Sequence, residues 1–168
     1  MKIRDRVVEL RRVRAADLLP NEKNWRTHSA AQADALKDLL AEIGFAGALL
    51  AYQTPAGLKL IDGHLRAETA PETEVPVLVL DVDDAEAAKL LATVDPIGAM
   101  AGADKDRLDA LLRDVDTGSA GLQAMLSQLA TDVGITPPDF APAGIDEQGR
   151  LDEKKRVTCP ECGHEFVP

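Results

Sequence analysis

Along the first hundred residues the apolar positions switch between a period of two and a helical period, and turn residues mark the switches. Val7 to Val13 alternates loosely and predicts a strand, followed by a short turn through Ala15-Ala16-Asp17-Leu18-Leu19 that stops at Pro20-Asn21. Ser29-Ala30-Ala31-Gln32 is a capping-box start; Ala33, Leu36, Leu39, Leu40 and Ile43 then recur at helical spacing until Gly44 ends the run. Ala48 to Gln53 and Leu58 to Ile61 flank Thr54-Pro55-Ala56-Gly57, which predicts two strands joined as a hairpin. Val75 to Leu80 is a continuous apolar run suited to a buried strand, with Pro76 near its start, and Ala85 to Val94 reads as a helix.

From Ala103 onward only the helical period remains. Leu108, Leu111, Leu112 and Val115 make one apolar stripe; Leu122, Met125, Leu126, Leu129 and Val133 make a second after the Thr117-Gly118-Ser119 break. The pair reads as a helical hairpin whose stripes are core. Residues 134–158 contain Pro137, Pro138, Pro142, Gly144 and Gly149 with no periodicity, a linker composition. The predicted organisation is an α/β domain over 1–102, a helical extension over 103–133, a linker over 134–158 and a short tail over 159–168.

Composition narrows the class. The 168 residues are 45% hydrophobic but only 3% aromatic, so one aliphatic core is expected and few stacking platforms for single-stranded nucleic acid. No run is long enough to span a membrane, and the charged start MKIRDRVVELRR lacks the apolar stretch of a signal peptide, which leads to the expectation of a cytoplasmic protein. The net charge of −10 argues against general DNA coating, yet residues 1–26 alone carry eight Lys/Arg against four acids. Two readings of this basic arm stand: it steers toward a polyanion, or its charges protect an edge strand from aggregation.

Candidate chemistry concentrates in LIDGHLRAETA, residues 60–70. Here a strand end hands over to a helix through Asp62-Gly63-His64-Leu65-Arg66, placing a glycine and two basic side chains where helix N–H groups attract anions and an arginine can fork onto phosphate. The spacing alone is equally that of an ordinary turn with one surface arginine. His64, with Asp62 and Arg66 beside it, has three readings: a general base, a phosphate contact, or a structural hydrogen-bonding residue.

The order of these pieces carries a family resemblance. Leu18-Leu19-Pro20-Asn21, Asn24-Trp25-Arg26, a helix ending Ile43-Gly44-Phe45, a hairpin, Ile61-Asp62-Gly63-His64-Leu65-Arg66-Ala67 and Val75-Pro76-Val77-Leu78-Val79 together resemble the ParB/sulfiredoxin-like domain over residues 7–95. Ala92-Thr93-Val94-Asp95-Pro96-Ile97 through Ala101-Gly102 extends the likeness to about residue 115, toward ParB-like domains of phages and mobile elements, some of which precede a DNA methyltransferase. The resemblance implies a compact α/β (α+β) domain with a small mixed sheet and flanking helices, binding a nucleotide (CTP or ATP, with Mg²⁺) or DNA phosphates through Gly63, His64, Arg66, Arg26 and Asp62. Asp95 falls where a Mg²⁺ contact is expected in relatives, although an aspartate before proline also reads as a helix terminator. His28 joins the same pocket if Arg26 does. The implied role is an accessory in DNA partition, modification or mobile-element DNA metabolism, with a methyltransferase or partition protein as expected partner. A Mg²⁺-dependent nuclease or phosphotransferase using a catalytic His64 is the alternative.

Departures from the family pattern matter. Where segregation proteins carry G-E-R-R-x-R, this chain has His64, Leu65 and Glu68, and each missing arginine removes a charge-assisted bond of about 1.5–3 kcal/mol. Sulfiredoxin chemistry needs a cysteine directly after the glycine, and His64 cannot form its sulfur–sulfur intermediate. No basic helix-turn-helix follows Asp104. At the other end, Cys159-Pro160-Glu161-Cys162-Gly163-His164 matches one knuckle of a zinc ribbon. Cys159, Cys162 and His164 would form a partial zinc site, completed to four cysteines by a homodimer or a partner protein, or the knuckle holds no metal.

Overall fold

The computed structural model of the chain describes residues 3–135 and, near the C-terminus, residues 157–158, 161–162 and 164–166. Contacts divide it into two units, Met1–Ile135 and Thr136–Pro168. The first runs β1 (Val7–Arg14), a 3-10 turn (Ala15–Asp17), α1 (Ala30–Glu42), β2 (Leu49–Thr54), β3 (Gly57–Asp62), α2 (His64–Thr69), β4 (Glu74–Leu80), α3 (Asp84–Ala99), α4 (Lys105–Asp114) and α5 (Ala120–Val133). No helix among the described residues is long and apolar enough to cross a membrane.

The four strands form one mixed sheet in the order β1-β4-β2-β3. β1 and β4 are antiparallel, β2 and β3 are the predicted hairpin, and β2 lies parallel to β4. Strand periodicity sorts the core into two layers. On one face Leu49, Ala51, Leu58, Leu60, Val75, Val77 and Val79 pack with Ala15, Leu18 and Ala67; on the other, Tyr52 and Ile61 meet Ala87 and Leu91 of α3. Leu49, Val75 and Val77 are fully buried, each contributing about 1.5–3 kcal/mol from removal of apolar surface. The sheet is thus covered on both sides, and β3, the strand at the edge opposite β1, leads straight into the Gly63 turn.

Caps set the helix limits. Ser29 Oγ accepts from Gln32 N at 3.1 Å to open α1, as predicted. Asp83 and Glu86 exchange bonds in a full capping box that opens α3. α3 outruns its predicted end at Val94: it continues through Pro96 to Ala99, so Asp95 lies inside the helix. The proline removes only its own N–H donor, and the carbonyl it would have bonded belongs to exposed Ala92, which water can satisfy.

α4 and α5 bury only part of the stripes predicted for them. α5 packs on α1, with Leu122 buried, Thr117 Oγ1 donating to Glu42 Oε2 at 2.9 Å, and Ser119 Oγ bonded to Asp38. Leu111, Val115, Met125 and Leu129 nonetheless stay exposed. Helical spacing identifies which face is apolar; only the packing decides whether anything covers it.

The second unit shows a short antiparallel pair, β5 (Val157–Thr158) with β6 (Glu165–Phe166), around a turn containing Glu161 and Cys162. Cys162 and His164 are exposed. Cys159, the first cysteine of the predicted zinc knuckle, and the predicted linker up to residue 156 lie outside the described residues.

Candidate functional site

Three segments converge beside the C-terminal end of β3. The first is the loop from Leu19 to Ser29. Leu19 runs alongside β3, donating to Leu58 O at 2.8 Å and accepting from Leu60 N at 2.9 Å. Asn21 then anchors the chain: its Nδ2 donates to Leu60 O at 3.0 Å, and its Oδ1 accepts from Lys23 N at 3.1 Å. Further on, the Trp25 indole N–H donates to Leu91 O at 3.3 Å, and Asn24 Oδ1 accepts from Arg26 N at 3.3 Å. The loop carrying Arg26 is fastened to β3 at one end and to α3 at the other.

The second segment is the turn from β3 into α2. Gly63 adopts φ +96°, a left-handed conformation that side chains disfavour, and a Cβ there would stand 2.5 Å from Leu49 Cγ. The side where a Cβ would project is packed core, so Gly63 serves the turn and the close approach to Leu49. α2 is short, and its first N–H groups lack i−4 carbonyl partners.

His64, the first residue of α2, is buried, and its Nε2 accepts from Asn21 N at 3.2 Å. A nitrogen that accepts from a backbone N–H is unprotonated. Burial, reinforced by His28, holds the His64 pKa below its ordinary value, while Glu68 and Asp62 oppose the shift less strongly. The bond from Asn21 N ties the Arg26 loop to α2 and leaves only Nδ1 for other work.

The third segment is α3, which brings Asp95 opposite Arg26. Arg26 Nη2 lies 2.7 Å from Asp95 Oδ2, and Arg66 Nη2 lies 2.7 Å from Asp62 Oδ2, with Arg66 Nη1 also 3.4 Å from Ala48 O. Both arginines expected to bind phosphate thus meet at one small cleft of about 180 Å³, and each already holds a carboxylate. His28 and Gln32 line it too, with His28 Nδ1 3.0 Å from Gln32 Oε1. Among the described residues, Arg26 Nε is a buried donor without a hydrogen-bond partner, which costs free energy until something accepts from it. At this volume the cleft has room for a group the size of a phosphate and not for an enclosed nucleotide, since small-molecule pockets run to roughly 300–1,000 Å³.

All five expected phosphate-binding residues, Gly63, His64, Arg66, Arg26 and Asp62, line this cleft together with Asp95. Asn21 and Asn24 entered the sequence reading only as parts of the family-like Leu18–Asn21 and Asn24–Arg26 pieces, and Gln32 only as part of the α1 cap; none was given a role at the site. Among the described residues no three His, Cys, Asp or Glu side chains form a metal-binding group. A Mg²⁺ ion would therefore draw a carboxylate from Asp95 or Asp62 and most of its ligands from phosphate and water.

The basic arm has a different fate. Arg4 and Arg6 meet Glu86 at 3.7 and 2.6 Å, Arg14 meets Asp17 at 2.8 Å, Arg11 pairs with Glu9 and Arg26 with Asp95, so five of the eight cations in residues 1–26 have a carboxylate partner within the chain. Hydrogen bonding to Glu86 raises the Arg6 pKa and lowers that of Glu86. Of the two readings, this pairing weakens the one in which the arm steers toward a polyanion.

No family model and no curated protein matches the chain. Solved structures similar to it include two ParB-type chains. One is the C-terminally truncated chromosome-partitioning protein ParB from Caulobacter crescentus complexed with CTP-γ-S, 18% identical, with a TM-score of 0.49 over 74% of this chain and 63% of that one. The other is a Pnob8-like ParB-N domain, 17% identical, with a TM-score of 0.47 over 98% of this chain and 59% of that one. The chain spans less than two thirds of the length of either.

Proposed function

We propose that the cleft between the Arg26 loop, the Gly63 turn and α3 binds a phosphate group of a nucleotide or nucleic acid, and that the protein is a ParB-like accessory in DNA partition or modification. The observation that carries this reading is the convergence of Arg26 and Arg66 from distant parts of the chain on one cleft. A structural ion pair needs one arginine and one acid. Two such pairs facing a common space, with the buried Arg26 Nε unsatisfied, leave guanidinium donors for a multiply charged anion to recruit. The reading is one of binding, not turnover, because the His64 Nε2 that a general base would use is occupied by Asn21 N–H.

The test is a binding screen with CTP, ATP, tripolyphosphate and duplex DNA, with and without Mg²⁺, on the native chain and Arg66→Ala. Binding that falls at least tenfold in the variant supports the cleft. Equal affinity in both proteins, or none for any probe, refutes it.

A further inference from the structure

We propose that β1 joins edge to edge with β1 of a second copy, making one continuous eight-stranded sheet. β1 is an outer strand of the sheet, and its Val8 and Leu10 are 64% and 61% exposed. From Glu9 to Arg14 it keeps regular antiparallel register with β4, Arg12 standing opposite Pro76. Proline has no N–H, so Arg12 and Pro76 cannot be a pair that exchanges two hydrogen bonds. The alternation then assigns the bonds to β4 to Glu9, Arg11 and Val13. The N–H and C=O of Leu10 and Arg12 point to the open edge, free to pair with another strand.

Symmetry selects the register. A twofold axis joining the same edge of two identical sheets stands normal to the sheet, so each residue meets one on the same face and the pairing is centred on a residue. Centring on Glu9 sets Glu9 against Glu9, and centring on Arg11 sets Arg11 against Arg11. Centring on Leu10 places Glu9 opposite Arg11 of the partner subunit twice over, Leu10 against its own copy, and the aliphatic stem of Arg12 across Val8. Glu9 and Arg11 are already paired along the strand, so the two copies would build a four-charge ladder. Arg12 has no ion pair within the described residues and is free to lie over Val8. The same register lets the two Leu10 residues exchange reciprocal backbone bonds, which the outward direction of their polar groups requires.

Sedimentation of the full-length chain, reduced and with a chelator so that the C-terminal cysteines cannot bridge copies, tests this. The native chain is expected to dimerise. Leu10→Pro removes an outward N–H that β4 does not use, so it should give a folded monomer by circular dichroism. Glu9→Arg or Arg11→Glu alone should weaken the dimer about tenfold or more, and the double exchange, which restores opposite charges in this register, should recover it. A native monomer, a dimer indifferent to Leu10→Pro, or a double exchange no better than the single changes would each overturn the proposal. The charge exchanges decide the matter even if the proline variant fails to fold.

Discussion

Replacing Gly63 by alanine perturbs the turn in two separable ways. The left-handed backbone costs an L-residue roughly 1–2 kcal/mol. The new methyl would also sit 2.5 Å from Leu49 Cγ, a side chain that is fully buried and cannot swing aside. Overpacking of that kind costs about 1–3 kcal/mol. The expected loss is therefore about 2–5 kcal/mol out of a total near 5–15 kcal/mol, or a fall in Tm of roughly 10–20 °C for a unit of this size. Gly98, in α3, provides the control, since nothing lies within 4 Å of a Cβ there and its backbone is helical. Gly98→Ala should stabilise by about 0.5–1 kcal/mol, so one substitution gives opposite signs at two positions. Thermal and urea unfolding of both variants measure this. Combining Gly63→Ala with Leu49→Ala should recover the steric part as a favourable coupling of about 1–3 kcal/mol, leaving the backbone cost. A Gly63→Ala loss below about 0.5 kcal/mol, the range of ordinary surface changes, would refute the described turn.

The His64 hydrogen bond predicts a pH dependence. Its folded pKa lies below the ordinary 6.5, so the neutral ring's contribution is complete above 6.5 and is lost as the pH falls through the folded value. His64→Gln keeps an acceptor without titrating, and its urea midpoint should lack that loss; an unchanged acid profile would contradict the assignment. Burial and the bond to Asp84 (2.8 Å) push the pKa of Tyr52, the chain's single tyrosine, up to about 12, so phenolate absorbance should rise near 12, and the stability it brings should disappear between 10 and 12. Ionisation near 10 in the folded state would refute it. Asp95→Asn should free Arg26 and strengthen tripolyphosphate binding a few-fold, whereas weaker binding would mean that Asp95 itself serves the ligand.

The sheet was legible because its rules are local. The alternation of Val7 to Val13, the Thr54-Gly57 hairpin signal and the Ser29 cap each act within a few residues, and the structure has a strand, a hairpin and a helix start where they were expected. The site was legible as a set of residues and not as an electrostatic arrangement. Nothing near Arg26 in sequence announces Asp95, and nothing in Gly63-His64 announces that the imidazole turns inward to the backbone of Asn21. Such pairings depend on the docking of α3 and the loop onto the sheet. The same limit explains α4 and α5, where spacing marked apolar stripes that their neighbours among the described residues cover only in part, burying Leu122 and leaving Met125 and Leu129 exposed.

The paired state of the cleft acts as a threshold. With Arg26 held by Asp95 and Arg66 by Asp62, the four groups sum to no formal charge, on a chain that is itself strongly acidic. A lone chloride entering there gains almost nothing, because each cation is already compensated and the surroundings repel it. An anion with several charges on adjacent oxygens can engage both guanidinium groups at once and outbid the two carboxylates. If the cleft binds phosphate as proposed, this arrangement would discriminate by ligand valence, staying empty amid abundant monovalent salt and responding to polyvalent phosphate.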